Sequence, residues 1–165
     1  MSGTRPGDNK RAQAWRSTAP TRRSARPAVA LDALEGHLGY FVRRVQIWVF
    51  GDFIQTLKPI DVSPAQYSVL VVIAANRGLS QAELAATLGI ERARLVRLLH
   101  HLEGRGLIRR LKSSADGRRH ALELTAAGRA LLARAKVLAG RHERRLTTRL
   151  GPERHKMLLQ ALRDF

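Results

Sequence analysis

The sequence predicts a mainly α fold: a winged helix-turn-helix with a small β-hairpin wing and a helical dimerisation region built from both ends of the chain. Three observations carry this prediction. Two Ser-initiated capping boxes, at Ser63 and Ser80, open helices in quick succession. A leucine stripe at i, i+3, i+4 and i+7 follows a Gly-Ile turn, and two short alternating segments then flank an Asp-Gly tip. The expected organisation is a basic arm over 1–30, a dimerisation helix over 31–62, the winged helix-turn-helix region over 63–124 and C-terminal dimerisation helices over 125–165.

Residues 1–30 hold 7 basic residues and 1 acidic one among Ser, Thr, Gly, Ala and Pro, with Trp15 the only large apolar ring. Such a segment buries too little apolar surface to offset its ordering entropy, which predicts a disordered arm. Its arginine-rich look is shared with organelle transit peptides, but it has neither an amphipathic stripe nor a cleavage pattern. From Leu34 to Leu57 no proline intervenes, and Leu34, Leu38, Phe41, Val45 and Trp48 fall at helical steps beside Tyr40, Ile47 and Ile54. This predicts one long helix, ended by Pro59.

Ser63-Pro64-Ala65-Gln66 supplies an N-cap, a proline at the first helical position and a glutamine at the third, with Tyr67, Leu70, Val71 and Ala74 as the expected buried stripe and Gly78 as the stop. Ser80-Gln81-Ala82-Glu83 opens a short helix carrying Leu84, Ala85 and Leu88. Gly89-Ile90 makes the turn. The next helix, from about Glu91 to Glu103, buries Leu95, Leu98, Leu99 and Leu102, which leaves Ala93, Arg97 and His100 outward, flanked by Arg94 and His101. Leu107–Leu111 and His120–Leu124 are read as strands around the tip Asp116-Gly117. Thr125 caps a helix from Ala126 to about Arg149, and Gly151-Pro152-Glu153 restarts a last one with Met157, Leu158 and Leu162 as its apolar positions.

The chain has 165 residues, 30 Lys+Arg against 13 Asp+Glu, a net charge of +17 and no cysteine. The excess is segregated. Residues 31–90 hold 4 basic and 5 acidic residues, 91–124 hold 9 and 4, and 125–165 hold 10 and 3. A charge so placed points to a polyanionic partner and away from an ordinary small-metabolite enzyme. The lack of cysteine excludes disulfides and thiolate metal sites and fits a reducing, cytoplasmic setting. The longest apolar run, Val69 to Ala75, is far short of the roughly 18 residues of a membrane span. None of the six histidines sits in a metal-binding spacing, and no nucleophile elbow or P-loop is present, so neither metal, cofactor nor catalysis is expected.

Four motifs in order, Leu79-Ser80-Gln81-Ala82-Glu83-Leu84-Ala85, Leu88-Gly89-Ile90, Leu102-Glu103-Gly104-Arg105-Gly106-Leu107-Ile108-Arg109-Arg110, and Asp116-Gly117-Arg118-Arg119 followed by Leu124-Thr125-Ala126-Ala127-Gly128-Arg129, resemble the MarR family of winged helix-turn-helix transcriptional regulators. The resemblance covers about residues 34–165. It implies a homodimer whose first and last helices intertwine and set two modules on successive turns of double-stranded DNA at a pseudo-palindromic operator. The apolar content of Leu34–Ile54 and Leu131–Leu162 supports the dimer independently, since it exceeds what a monomer would bury.

On this resemblance Arg94 and Arg97 are expected in the major groove, with His101 beside them and Arg92 on a phosphate. Asp116, Arg118 and Arg119 form the wing, in which Asp116 orients a basic side chain and Arg118 enters the minor groove. Small hydroxyl residues are usual in the family at 93 and 94. Here Ala93 and Arg94 stand instead, so the base that is read is left open.

The family's effector pocket would bring Tyr40, Arg43, Arg44, Trp48 and Tyr67 into range. Arg43 and Arg44 interrupt an apolar helix, and if partly buried they need an anionic partner: Asp52, Asp61 or a C-terminal carboxylate of the other subunit on one reading, an anionic ligand on the other. The Tyr40–Trp48 stretch most resembles repressors of aromatic-acid catabolism, which implies a small aromatic effector such as an aryl or hydroxycinnamoyl coenzyme A thioester. The leading expectation is thus a ligand-responsive, sequence-specific repressor. The competing class is a constitutive architectural nucleic-acid-binding protein without effector.

Overall fold

The computed structural model describes residues 29–112 and 120–164. The expected arm therefore lies outside the described residues apart from 29 and 30, as does the wing tip with Asp116, Arg118 and Arg119. The chain divides into two units, Met1–His37 and Leu38–Phe165. In the first, the described structure is a 3-10 turn, Asp32–Gly36. The long helix begins later than the apolar period predicts. His37 is extended, at φ −95° and ψ 108°, and helix α1 spans Leu38–Leu57. Gly36 and Gly39 account for the late start, because each glycine disfavours helix by about 1 kcal/mol relative to alanine.

A 3-10 turn, Lys58–Ile60, leads from α1 to α2, Pro64–Ala75. The Ser63 hydroxyl accepts from the Gln66 N–H, and the Gln66 side chain accepts from the Ser63 N–H, so the predicted box is closed in both directions. The predicted stripe is corrected. Gln66, Val69, Leu70 and Ile73 are buried, whereas Tyr67 and Val71 are only half-buried and Ala74 is exposed. This helix is apolar on nearly every side, so periodicity alone does not orient it.

The helix-turn-helix pair is α3, Gln81–Leu88, and α4, Arg92–Gly104. Ser80 and Glu83 close the second box, and Gly89 turns the chain at φ 58°, a left-handed conformation that favours glycine. Strands β1, Ile108–Lys112, and β2, His120–Leu124, pair antiparallel with Ile108 opposite Leu124. The Leu122 N–H donates to the Leu79 carbonyl at 3.0 Å, which ties the wing to the entry of α3.

Helix α5, Ala126–Leu150, is capped by Thr125, and helix α6, Pro152–Arg163, folds back on it after Gly151. One buried cluster joins Leu70 of α2, Leu84 of α3, Leu95, Leu99 and Leu102 of α4, the wing's Ile108 and Leu122, and Leu132 of α5. A smaller one joins Leu57, Ile60, Val62 and Ala135, with Phe53 and Tyr67 against it. The module is thus bolted to the lower part of α5.

The terminal helices are different. Leu38 is 70% exposed, Val45 and Ile47 are each 59% exposed, and Met157 and Leu162 exceed 60%. No described helix is long and apolar enough to cross a membrane.

Candidate nucleic-acid interface and ligand clefts

Helix α4 has two unlike faces. Leu95, Leu99 and Leu102 are buried, and Leu98 is half-buried, which fixes the helix rotationally. Arg92, Ala93, Arg94, Arg97, His100 and His101 are all exposed on the rest of the surface. Glu103, the carboxylate near the helix end, is engaged by Arg110 of β1 at 3.2 Å. The outward cations therefore stand clear of it.

The five residues expected around an effector do not share one cleft within a single chain. Arg43 and Arg44 are exposed rather than partly buried, so solvent screens their charge. Arg44 lies over the Tyr40 ring at 5.6 Å and reaches its hydroxyl at 3.4 Å. Asp52 and Asp61, two of the partners expected for these arginines, are taken by others. Arg105 pairs with Asp61, and Asp52 belongs to the seam between α1 and α5.

At that seam, one Asp52 oxygen meets His142 Nδ1 at 2.6 Å and accepts from Arg145 at 2.7 Å. The hydrogen bond from Arg145, then the one with His142, hold the Asp52 carboxyl below its ordinary value of 3.8 despite partial burial. His142 is buried and stacks on Phe53, with ring centroids 4.8 Å apart, and Phe53 meets Tyr67 edge-on at 5.5 Å.

Two clefts open beside this bond. On the side of His142, a cleft of about 540 Å³ is lined by Val49, Phe53, Tyr67, Gly140, His142 and Leu146. It is apolar and aromatic, with Lys136 and Glu143 at its polar edge. Burial raises the Tyr67 hydroxyl above its usual value of 10.0, so it stays a neutral hydrogen-bond donor. On the side of Asp52 lies a second cleft of similar volume, in which Trp48 stands among arginines. Tyr67 and Trp48 are thereby separated, while Tyr40, Arg43 and Arg44 line neither cleft.

Phe53, His142 and Arg145 were not expected at a site. The available signal was Asp52, a lone carboxylate within an apolar helix, which requires cations from elsewhere in the chain.

A helix-turn-helix backed by a two-stranded wing and carried on long helices from both sides defines a winged helix-turn-helix transcriptional regulator. Comparison with known proteins narrows this. The model of the MarR family matches residues 60–119. A relative from Thauera aromatica, described as a putative transcriptional regulatory protein for the hcr operon, is 36% identical over 132 residues, covering 79% of this chain and 80% of that protein. The chain belongs to the MarR family.

Among solved structures, the repressor CouR bound to a 23-mer DNA duplex is 47% identical, with a TM-score of 0.79 over 82% of this chain and 96% of that one. CouR bound to p-coumaroyl-CoA is also 47% identical, with a TM-score of 0.75 over 81% and 94%. These relatives are transcriptional regulators, not enzymes, as the sequence predicts.

Proposed function

We propose that this protein is a cytoplasmic, homodimeric, sequence-specific repressor that binds a pseudo-palindromic operator and is released by an aromatic effector. The observation that carries it is helix α4, whose leucine face is locked in the core while Arg92, Arg94, Arg97 and His101 stand free on the other side. Arg94 and Arg97 enter the major groove, Arg92 grips a phosphate, and the wing residues Asp116, Arg118 and Arg119 address the minor groove. Residues 31–62 and 125–165 supply the dimer contacts, using the exposed apolar side chains of α1 and α6.

The effector is an aryl or hydroxycinnamoyl coenzyme A thioester. CouR, at 47% identity, is a relative whose structure holds p-coumaroyl-CoA. The cleft between Phe53, Tyr67 and His142 suits a phenyl ring, with the neutral Tyr67 hydroxyl as a donor to its polar substituent. Tyr40, Arg43, Arg44 and Trp48 join the site through the dimer or through the ligand's phosphates. Release requires that the ligand bind the DNA-incompetent arrangement of the two modules more tightly than the competent one.

A mobility-shift titration with the promoter-proximal duplex and excess unrelated DNA tests the reading. Specific retention that p-coumaroyl-CoA abolishes is expected. Equal competition by unrelated DNA would instead favour the architectural role.

A further inference from the structure

The turn that follows α4, residues 104–107, is gripped from two sides. The Thr125 hydroxyl donates to the Gly106 carbonyl at 2.6 Å and ties the turn to the start of α5. On the other side Arg105 reaches back 44 residues in sequence to the junction between α1 and α2, where its Nη1 donates to the Asp61 carbonyl. Arg105 is the first residue after α4, so this bond is made at the helix end.

The acceptor is held in place. Asp61 sits at φ 49° and ψ 53°, a left-handed conformation that a residue other than glycine keeps only where its surroundings over-determine it. Here they do: Ile60 and Val62 on either side of it are buried in the cluster that holds Leu57 of α1 and Ala135 of α5, and the Asp61 N–H donates to the Lys58 carbonyl at 3.0 Å. The Asp61 carboxylate contributes little, because it is 91% exposed and stands 3.6 Å from the Arg105 nitrogen, beyond hydrogen-bond distance. Arg105 therefore senses where the backbone of the junction lies rather than its charge.

The leucine face of α4 fixes rotation about the helix axis, and the contacts at its end fix its inclination. Arg94 lies eleven residues before Arg105, about 16 Å along the helix. A swing of about 4° about this joint moves Arg94 by about 1 Å, enough to break a hydrogen bond to a base edge. We propose that Arg105 is a positioning residue for DNA recognition: through the Asp61 carbonyl it sets the inclination of α4 from the position of the α1–α2 junction. The inference rests on the repressor reading above and assigns Arg105 a part in it that is played through α4 rather than by contact with DNA.

The test compares full-length wild type, Arg105→Ala, Arg105→Lys and Asp61→Asn by fluorescence anisotropy on the promoter-proximal duplex and on an unrelated duplex, over a salt series, with urea denaturation alongside. Arg105→Ala should bind the promoter duplex about tenfold more weakly, with its affinity for unrelated DNA within about twofold of wild type and its salt slope unchanged, because no phosphate contact is lost. Arg105→Lys, which keeps a donor, should recover most of that loss, and Asp61→Asn, which keeps the carbonyl, should match wild type. If Arg105→Ala does not fold, Arg105→Met, which keeps the apolar stem and donates nothing, takes its place with the same tenfold loss expected. A salt slope lower by about 1, with both duplexes weakened alike, would make Arg105 a phosphate ligand and overturn the proposal. Full operator affinity in an Arg105→Ala protein that is only less stable in urea overturns it as well, and leaves the repressor reading standing. Wild type that does not distinguish the two duplexes overturns the repressor reading itself, and this inference with it.

Discussion

Replacing Gly128 by alanine places a methyl group where there is no room. A Cβ built on Gly128 would stand 1.9 Å from the Leu107 carbonyl oxygen and 2.9 Å from its carbon, and both are backbone atoms that cannot swing aside. The same carbonyl accepts from the Thr125 N–H at 3.0 Å, so relief of the clash stretches the junction that seats α5 on the wing. Overpacking of this kind costs about 1–3 kcal/mol and the strained hydrogen bond about 1 kcal/mol more. Alanine's helix preference returns about 1 kcal/mol. The expected net loss is thus about 1–3 kcal/mol.

Gly140 lies in the same helix and provides the control. Its Cβ would meet only Arg144, at an ordinary 3.7 Å, so Gly140→Ala should gain up to about 1 kcal/mol. Urea denaturation measures both, with the midpoint moving in opposite directions at unchanged slope. A Gly128→Ala protein as stable as Gly140→Ala would refute the close-approach argument.

Three other outcomes are expected. Asp52→Asn should destabilise the fold near neutral pH, because a carboxyl held below its unfolded value of 3.8 contributes stability above that value and loses it as pH falls through the folded one; the gap from wild type should close below pH 3.8, and a pH-independent gap in urea melts would contradict this. Leu38→Glu/Val45→Glu should convert the proposed dimer to a monomer in light scattering, since both side chains are exposed in the single chain, and an unchanged mass would remove α1 from the interface. Arg118→Ala should weaken operator binding by more than about tenfold and lower the salt slope by about 1, which a titration series in salt would reveal or exclude.

The elements set by local chemistry were legible in the sequence. Ser63 with Gln66, Ser80 with Glu83, and Thr125 with Gly128 are side-chain caps three residues apart, and each starts a helix where expected. The wing strand His120–Leu124 and the leucine face of α4 follow from period alone, and β1 begins one residue later than expected.

What escaped depended on contrast or on distance along the chain. Helix α2 is apolar nearly throughout, so its buried side was not encoded by alternation with polar residues. The seam joins Asp52 to His142, residues with no local pattern in common, and only the packing of α1 on α5 brings them together. The resemblance names Trp48 and Tyr67 for one effector pocket, but within the single chain Trp48 lines one cleft and Tyr67 the other, beside Phe53, because five residues along α1 turn Phe53 well away from the side that carries Trp48.

Helix α5 is a single 25-residue rod, about 37 Å long, without an internal proline. Its first turn is seated on the wing through Gly128, its middle lines the aromatic cleft, and its last turns reach the arginines beside Trp48. A rod of that length acts as a lever. A tilt of about 5° at one end displaces the other by about 3 Å, comparable to the length of one hydrogen bond. Small repacking around His142 therefore need not travel through a chain of contacts to alter the reach of α4: rigid rotation of one helix carries it.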